Sequence, residues 1–496
     1  MLIARTLIAG LLLAIAAPVM AGQEAPADYS LTGQITGADN QTYKEVPFDV
    51  PAGVERVTVT LAYDKAGKTV IDLGIWDPER FRGWSGGTRD RFTISESDAS
   101  PGYLTGKVTA GRWRVMLGIP NIRAASRSAY TVKIYFDRGE ARHATAAIAD
   151  APIKAGPGWY RGDLHMHDAN SDGSCASQSG KRVPCPVFRT IEAAAKAGLD
   201  FVAVTDHNTV AHFGALRELQ PFFDKTLLIP GTEITTFHGH ANIFGPAHWV
   251  DFRAGTTDVP DLPALERGVA AAGAILSINH PNSPSGEICM GCGWQWPDTD
   301  YTGVTAVEAV NGPMAEGPYA GIAFWYARLN EGKHLTGIGG SDNHDPDAGK
   351  AIGRPTTVVQ ARELSMPAIL DAIRAGNVFI DVEGTRVRLL EVEAVSGKAR
   401  AVMGQTLAAG ARIRVTAHVV GAQGGAIDLI ANGVTVPGKQ VALSSEDQRV
   451  EMKLDRKQAC GWISVNVRSE AGRPWLIGNP IYVACRRGSA GSPSGK

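Results

Sequence analysis

Between Trp159 and Phe379 short apolar runs alternate with amphipathic stretches of helical length, which is the pattern of parallel strands joined by helical crossovers. The runs are Phe201-Val-Ala-Val204, Leu227-Leu-Ile229, Ala274 to Ile278, Ala306 to Val310 and Leu335 to Ile338. Phe188 to Ala197, Leu262 to Ala272, Gly321 to Glu331 and Ser365 to Ala375 read as helices, and each is followed by a glycine suited to a left-handed stop.

Ten of the twelve histidines fall in this window, between His165 and His344, and the polar residues gather directly after the apolar runs. Thr205-Asp206-His207 follows the first run, Gly231-Thr-Glu233 the second, Asn279-His280-Pro281 the third and Ser341-Asp342-Asn-His344 the last. Enzymes with parallel strands build active sites at such strand ends. In Asp163-Leu-His165-Met-His167 an extended chain aims both imidazoles to one side, an arrangement suited to a divalent metal.

The motifs Asp-Leu-His165-x-His167, Ser171-Asp172-Gly173, Thr205-Asp206-His207, Glu233, Gly239-His240, Asn279-His280-Pro281 and Ser341-Asp342-x-His344 occur in order. By them the chain resembles the PHP (polymerase and histidinol phosphatase) superfamily, and its exported, β-flanked form with a closing Asn479-Pro480-Ile-Tyr-Val segment is most similar to the carbaryl-hydrolase-like branch. The resemblance implies an α/β fold, a distorted (β/α)7 TIM-like barrel, holding two or three divalent ions. It also implies hydrolysis of phosphoesters or, in this branch, of carbamates and other esters. Carried over, His165, His167, Glu233 and Asp342 hold one ion; Glu233 bridges to a second held by His240 and His280; Asp172, His207 and His344 hold a third. The donor types suit zinc, manganese or iron without choosing among them.

Other residues stay open. His238 is an alternative ligand, a proton carrier or a bystander; Asp163 and Asp206 either orient an imidazole or cap a strand; His212, His248 and His334 read as surface or core residues. Arg354 is a candidate for binding a phosphate, as are Arg374 and Arg386, each set against an ordinary surface role. Two ions sharing a carboxylate can hold a hydroxide between them, so Glu233 and Asp342 count as catalytic as well as ligating. No G-x-x-x-x-G-K-[ST] Walker loop offers another mechanism. A phosphatase or phosphodiesterase is the first expectation and a carbamate or carboxylic ester hydrolase the second. A non-catalytic exported binder of glycan or cell-wall material is the rival from another class. The expected partner is a small-molecule ester. With 49 Lys+Arg against 50 Asp+Glu, nucleic acid is not expected.

The flanks read as β. Alternating runs with Pro/Gly turns from about Tyr29 to Asp137 predict an N-terminal β-sandwich over 22–150, and runs such as Arg412 to Thr416 and Ala426 to Ile430 predict a small C-terminal β domain over 389–487. The barrel is expected over 158–388 and a flexible tail over 488–496. Met1 to Ala21 combines a positive start, an apolar run and small residues at a cleavage point, so it reads as a secretory signal rather than a membrane anchor, placing the mature chain in the periplasm or outside the cell. Export makes disulfides the expected state of the six cysteines, with Cys460 and Cys485 paired from neighbouring strands. Cys175, Cys185, Cys289 and Cys292 form either two disulfides of unassigned pairing or a four-thiolate zinc site.

Overall fold

The computed structural model describes residues 26–54, 56–95, 99–100, 102–137, 152–245, 249–297, 299–347, 351–408 and 412–484. The expected signal over Met1 to Ala21, His248, Cys485 and the expected tail over 488–496 lie outside them.

The fold is mixed α/β: one large mixed sheet of fifteen strands with smaller antiparallel sheets around it. Besides the short parallel pair Thr406–Ala408 and Ile481–Ala484, six strands of the large sheet run parallel in two sets of three. Gly158–Asp163, Phe201–Val204 and Leu227–Thr236 form one set, and Ile275–Ile278, Ala306–Asn311 and Thr336–Gly340 the other. Each is buried along most of its length because neighbours cover both faces, which is why their sequences are apolar runs rather than alternations.

Between the two sets lies Gly239–Phe244, antiparallel to both neighbours, where a purely parallel succession was expected. The Leu227 run continues to Thr236 and turns back through Phe237 and His238, so this strand is the second arm of a hairpin. Its register sets His240 opposite Thr235 and Asn242 opposite Glu233, bringing all four to one face. Beyond Gly158–Asp163 the Thr356–Ala361 strand also runs antiparallel. The outer strand Thr336–Gly340 curls round to meet it: Gly339 N–H donates to Thr357 Oγ1 at 2.8 Å, and that hydroxyl donates to Gly339 O at 2.6 Å. A β-carbon on Gly339 would stand 2.7 Å from Pro355, so this approach requires glycine.

The helices follow the expected spans closely. Val187–Lys196 buries Val187, Thr190, Ile191 and Ala194 at helical spacing and stops at Gly198, whose φ is 78°. Leu262–Ala271 is capped by Asp261, which accepts from Ala264 N–H at 2.9 Å, and Met366–Arg374 by Ser365. Phe213–Leu219 is a further helix, and His212 at its start is wholly buried, its Nε2 3.0 Å from Gly231 O and its Nδ1 3.3 Å from Asp206.

Ahead of these elements two four-stranded antiparallel sheets share a core that includes Phe48, Phe92, Tyr103 and Trp113. After them, Val378–Asp381 pairs with Pro474–Gly478, so the large sheet runs on without a break into C-terminal strands, while Leu389–Ser396 and Arg412–Val420 belong to a separate four-stranded sheet. Asn479 ties the two ends of this arrangement. Wholly buried, it accepts from Gly337 N–H at 2.8 Å and donates to Gly337 O at 2.8 Å and Val378 O at 2.9 Å. Asn479→Ala would strand three backbone groups in the core. The expected outcome is a loss of about 2–4 kcal/mol, read as a shift of the urea midpoint at unchanged slope; an unshifted midpoint would remove the latch from the account.

Candidate metal centre

The C-terminal ends of the parallel strands converge on Glu233, which is 1% exposed in the Leu227–Thr236 strand. Its Oε2 lies 3.2 Å from His165 Nε2 and 3.4 Å from His167 Nε2; Asp342 Oδ1 lies 3.4 and 3.3 Å from the same two nitrogens. Ligand atoms about 2.0–2.1 Å from a common tetrahedral centre stand about 3.3–3.4 Å apart, close to the spacing of each of these four imidazole-to-carboxylate pairs. His167 Nε2 is buried and has no hydrogen-bond partner, the condition of a ligand atom. The other carboxylate oxygen of Glu233, Oε1, lies 3.2 Å from His240 Nδ1 and 3.3 Å from His280 Nε2 and accepts from Asn279 Nδ2 at 3.0 Å. One carboxylate therefore faces two donor groups, as a bridging ligand must. A third group joins Asp172 to His344 Nε2 at 3.3 Å and His207 Nε2 at 3.7 Å. Eight of the nine residues expected as ligands thus fall in three adjoining groups of donor atoms that could hold metal ions, and the ninth, Asp342, stands beside them through its contacts to His165 and His167.

The outer nitrogens of the imidazoles explain their aim. His165 Nδ1 is 2.9 Å from Glu308 Oε1, His240 Nε2 is 3.2 Å from Met290 O, His280 Nδ1 is 2.8 Å from Cys292 O and His344 Nδ1 is 3.0 Å from Asp342 O. A carbonyl or ionised carboxylate has no proton to give, so the ring nitrogen facing it carries the hydrogen and the opposite lone pair points inward. His207 Nδ1 meets Thr235 Oγ1 at 2.6 Å, leaving Nε2 toward Asp172. His280 and Asp342 hold φ of 25° and 51°, left-handed backbone that non-glycine residues keep at a cost where surrounding structure fixes them.

The charges match this use. Burial alone would raise the Glu233 and Asp342 carboxyls, but the imidazoles around them, His165 foremost, hold both well below the usual carboxylate range. Burial pushes His207 and His240 down, so both stay neutral. Burial also works against a charged His344, yet the Asp172 carboxylate raises it to about 9.

The residues left open by the sequence take the following places. His238 sits at the hairpin turn, exposed and edge-on to Trp296 at 5.3 Å, outside the cavity beside the metal ligands. Strand alternation turns His240 inward and leaves the turn residue at the rim. Arg354 is exposed and does not line that cavity either. Its turn is pinned from below, Gly353 N–H donating to Asp163 at 2.7 Å, and the side chain is left pointing outward. Arg374 pairs with Asp371 and Arg386 donates to Gly198 O, so neither reaches the cavity. Asp163 accepts from the N–H groups of His165, Ser341 and Gly353 and so fastens the ligand-bearing loops rather than any imidazole. Asp206 accepts from Ser171 Oγ and Asp168 N–H. His334 stacks on Tyr482.

The four cysteines of this region are disulfides, Cys175–Cys185 and Cys289–Cys292, which removes the four-thiolate zinc alternative. Two further parts were not foreseen. Glu308, an acid inside an apolar strand, orients His165 and also accepts from His280 N–H at 2.9 Å and Asn311 at 3.0 Å. The loop closed by Cys289–Cys292 supplies the carbonyls that orient His240 and His280.

The cavity beside the ligands has a volume of about 400 Å³ and is walled on its far side by the N-terminal sheets through Tyr43, Asp72, Trp84 and Pro120. Phe237, Phe252, Ile288 and Met290 add apolar surface, and no lysine or arginine lines it among the described residues.

No protein-family model matches the chain, and no curated protein matches it. Among solved structures it is similar to a two-domain protein from Bacteroides vulgatus containing a predicted PHP-like metal-dependent phosphoesterase, at 20% identity and a TM-score of 0.37, over 70% of this chain and 100% of that one. An inferred metal-dependent phosphoesterase from Bifidobacterium adolescentis is 16% identical, with a TM-score of 0.30, over 43% of this chain and 95% of its own.

Two outcomes follow from the centre itself. Replacing Cys289 and Cys292 together by serine frees the loop whose carbonyls aim His240 and His280, and chelator competition should then show metal affinity lower by about tenfold or more; unchanged affinity would mean the loop holds its shape unaided. With His344 protonated up to about 9, metal entering beside Asp172 displaces a proton. Its apparent affinity should rise about tenfold per pH unit below that value and level off above it, and calorimetry in buffers of differing ionisation enthalpy should count about one proton released per ion.

Proposed function

We propose that this chain is an exported metal-dependent hydrolase of phosphoesters. The observation that carries the reading is the set of donor separations of 3.2–3.4 Å joining His165, His167, Glu233 and Asp342, with Glu233 shared by a second group. Divalent ions bound there polarise a phosphoryl or acyl oxygen and lower the pKa of water toward neutrality. The chain's own part is to keep Glu233 and Asp342 ionised, to hold His207 and His240 neutral, to aim the imidazoles, and to offer a cavity beside them. The curled sheet whose outer strand meets Thr357 is read as a distorted (β/α)7 barrel, and the apolar start of the chain as a signal cleaved after Ala21, giving a periplasmic or secreted protein.

A second reading, hydrolysis of carboxylic or carbamate esters, is favoured by one feature. The cavity wall is aromatic and aliphatic and carries no lysine or arginine among the described residues, so it suits a neutral or singly charged substrate with an apolar group better than a phosphate monoester dianion.

Metal-stripped protein should hydrolyse neither bis(nitrophenyl) phosphate nor nitrophenyl acetate, and zinc, manganese or iron should restore whichever activity is native. Glu233→Gln keeps the size but removes the shared charge. Metal content measured by mass spectrometry and turnover should fall together, turnover by about 10²-fold or more. Full turnover in the stripped protein would end the metal reading, and a Glu233→Gln protein with full metal content would end the bridging role.

A further inference from the structure

We propose that Asp72, carried by the N-terminal sheets, is the general acid that protonates the leaving oxygen of the substrate. This rests on the hydrolytic reading above and adds a residue to it from outside the strands that hold the ligands.

The placement comes from strand alternation. In Val70–Trp76, Ile71, Leu73 and Ile75 face the core of the N-terminal sheets, which turns Asp72 to the opposite face, toward the metal ligands. Asp72 lines the same cavity of about 400 Å³ as Asp172, Glu233 and Asp342. Gly86 and Gly87 stand over it without side chains, a β-carbon at Gly87 coming only within 3.4 Å of its Oδ1. No hydrogen bond or ion pair holds its carboxyl among the described residues, so it has no structural task there. An acid on the outer face of a sheet, without a partner and beside aromatic rings, costs stability that a proton-transfer role accounts for.

Its surroundings favour the protonated form. Burial pushes the Asp72 carboxyl up to about 7. Tyr43 lines the cavity with it, and burial drives that phenol far upward with Asp72 and Asp251 adding to the shift, so it stays neutral. Across the cavity stand the three carboxylates named above and the imidazoles of His207, His240, His280 and His344. Cations bound among those ligands would draw the Asp72 pKa down, so its titration falls at or below about 7 in the loaded protein.

The step balances as follows. Water adds to the phosphoryl or acyl centre and gives up one proton to solvent. The bond from that centre to the leaving oxygen breaks with its electron pair passing to that oxygen, and the Asp72 carboxyl proton completes the alcohol. Solvent then reprotonates Asp72. A nitrophenolate leaves without help, whereas an alkoxide needs the proton, so the demand for Asp72 depends on the leaving group.

The test uses the full-length holoenzyme with a pair of substrates of the active class, alike except that one loses nitrophenol and the other a simple alkyl alcohol. Asp72→Asn should lower kcat on the alkyl substrate by about 10²-fold or more while leaving the nitrophenyl substrate within a few fold and metal content unchanged. In the wild type, kcat for the alkyl substrate should fall as pH rises through the Asp72 titration, with no such limb for nitrophenyl; this second measurement needs no variant. Equal loss on both substrates, no loss on either, or a limb shared by both would overturn the proposal and leave the metal-dependent reading standing. A wild type that turns over neither substrate, with or without added metal, would overturn both.

Discussion

A buried carboxylate ringed by imidazoles is the constraint around which this molecule is arranged. Glu233 is ionised in a place where burial opposes ionisation, and only the positive character of its neighbours makes that tenable. His165, His167 and His207 approach one oxygen and His240 and His280 the other, from four separate segments of the chain. Such a group cannot be assembled locally. The parallel strands bring the loops together, Asp163 fastens three loop backbones beneath them, and Glu308 and the carbonyls of Met290 and Cys292 fix the rings in turn.

What could be read from the sequence was whatever rests on short-range geometry. Alternation in an extended chain put His165 and His167 on one side, and a glycine past each helix placed the helix ends within a residue or so. The clustering of polar residues after apolar runs pointed to loops that the fold does bring together. Short-range rules also misled in identifiable ways. His238 shares the spacing of a ligand pair with His240, but a turn separates them, and alternation fails at a turn. Arg354 follows the last ligand motif in sequence, yet the backbone bond from Gly353 to Asp163 anchors the turn and leaves the guanidinium outside.

The parts that escaped are those whose meaning lies in distant contacts. Glu308 within Ala306-Val-Glu-Ala-Val310 is an acid in an apolar strand, and its role becomes visible only when His165, 143 positions away, is set beside it. The cysteines signalled disulfides or zinc but not that one bridge would present backbone carbonyls to two imidazoles. The antiparallel strand Gly239–Phe244 has the same apolar, buried character as its parallel neighbours, so nothing in its composition reveals direction. The N-terminal sheets, legible as alternating β runs, carry no mark in sequence that one of their outer faces walls the cavity.

The lacing of the C-terminal strands into the large sheet bears on the order in which the molecule can become complete. The Thr336–Gly340 strand leads directly to Asp342 and His344, and its Gly337 is held by Asn479, which lies 142 positions later. During synthesis every metal ligand emerges well before that latch. The loop bearing Asp342 therefore gains its final support only when nearly the whole chain is present, so the candidate centre takes its final shape in the finished polypeptide rather than in the growing one.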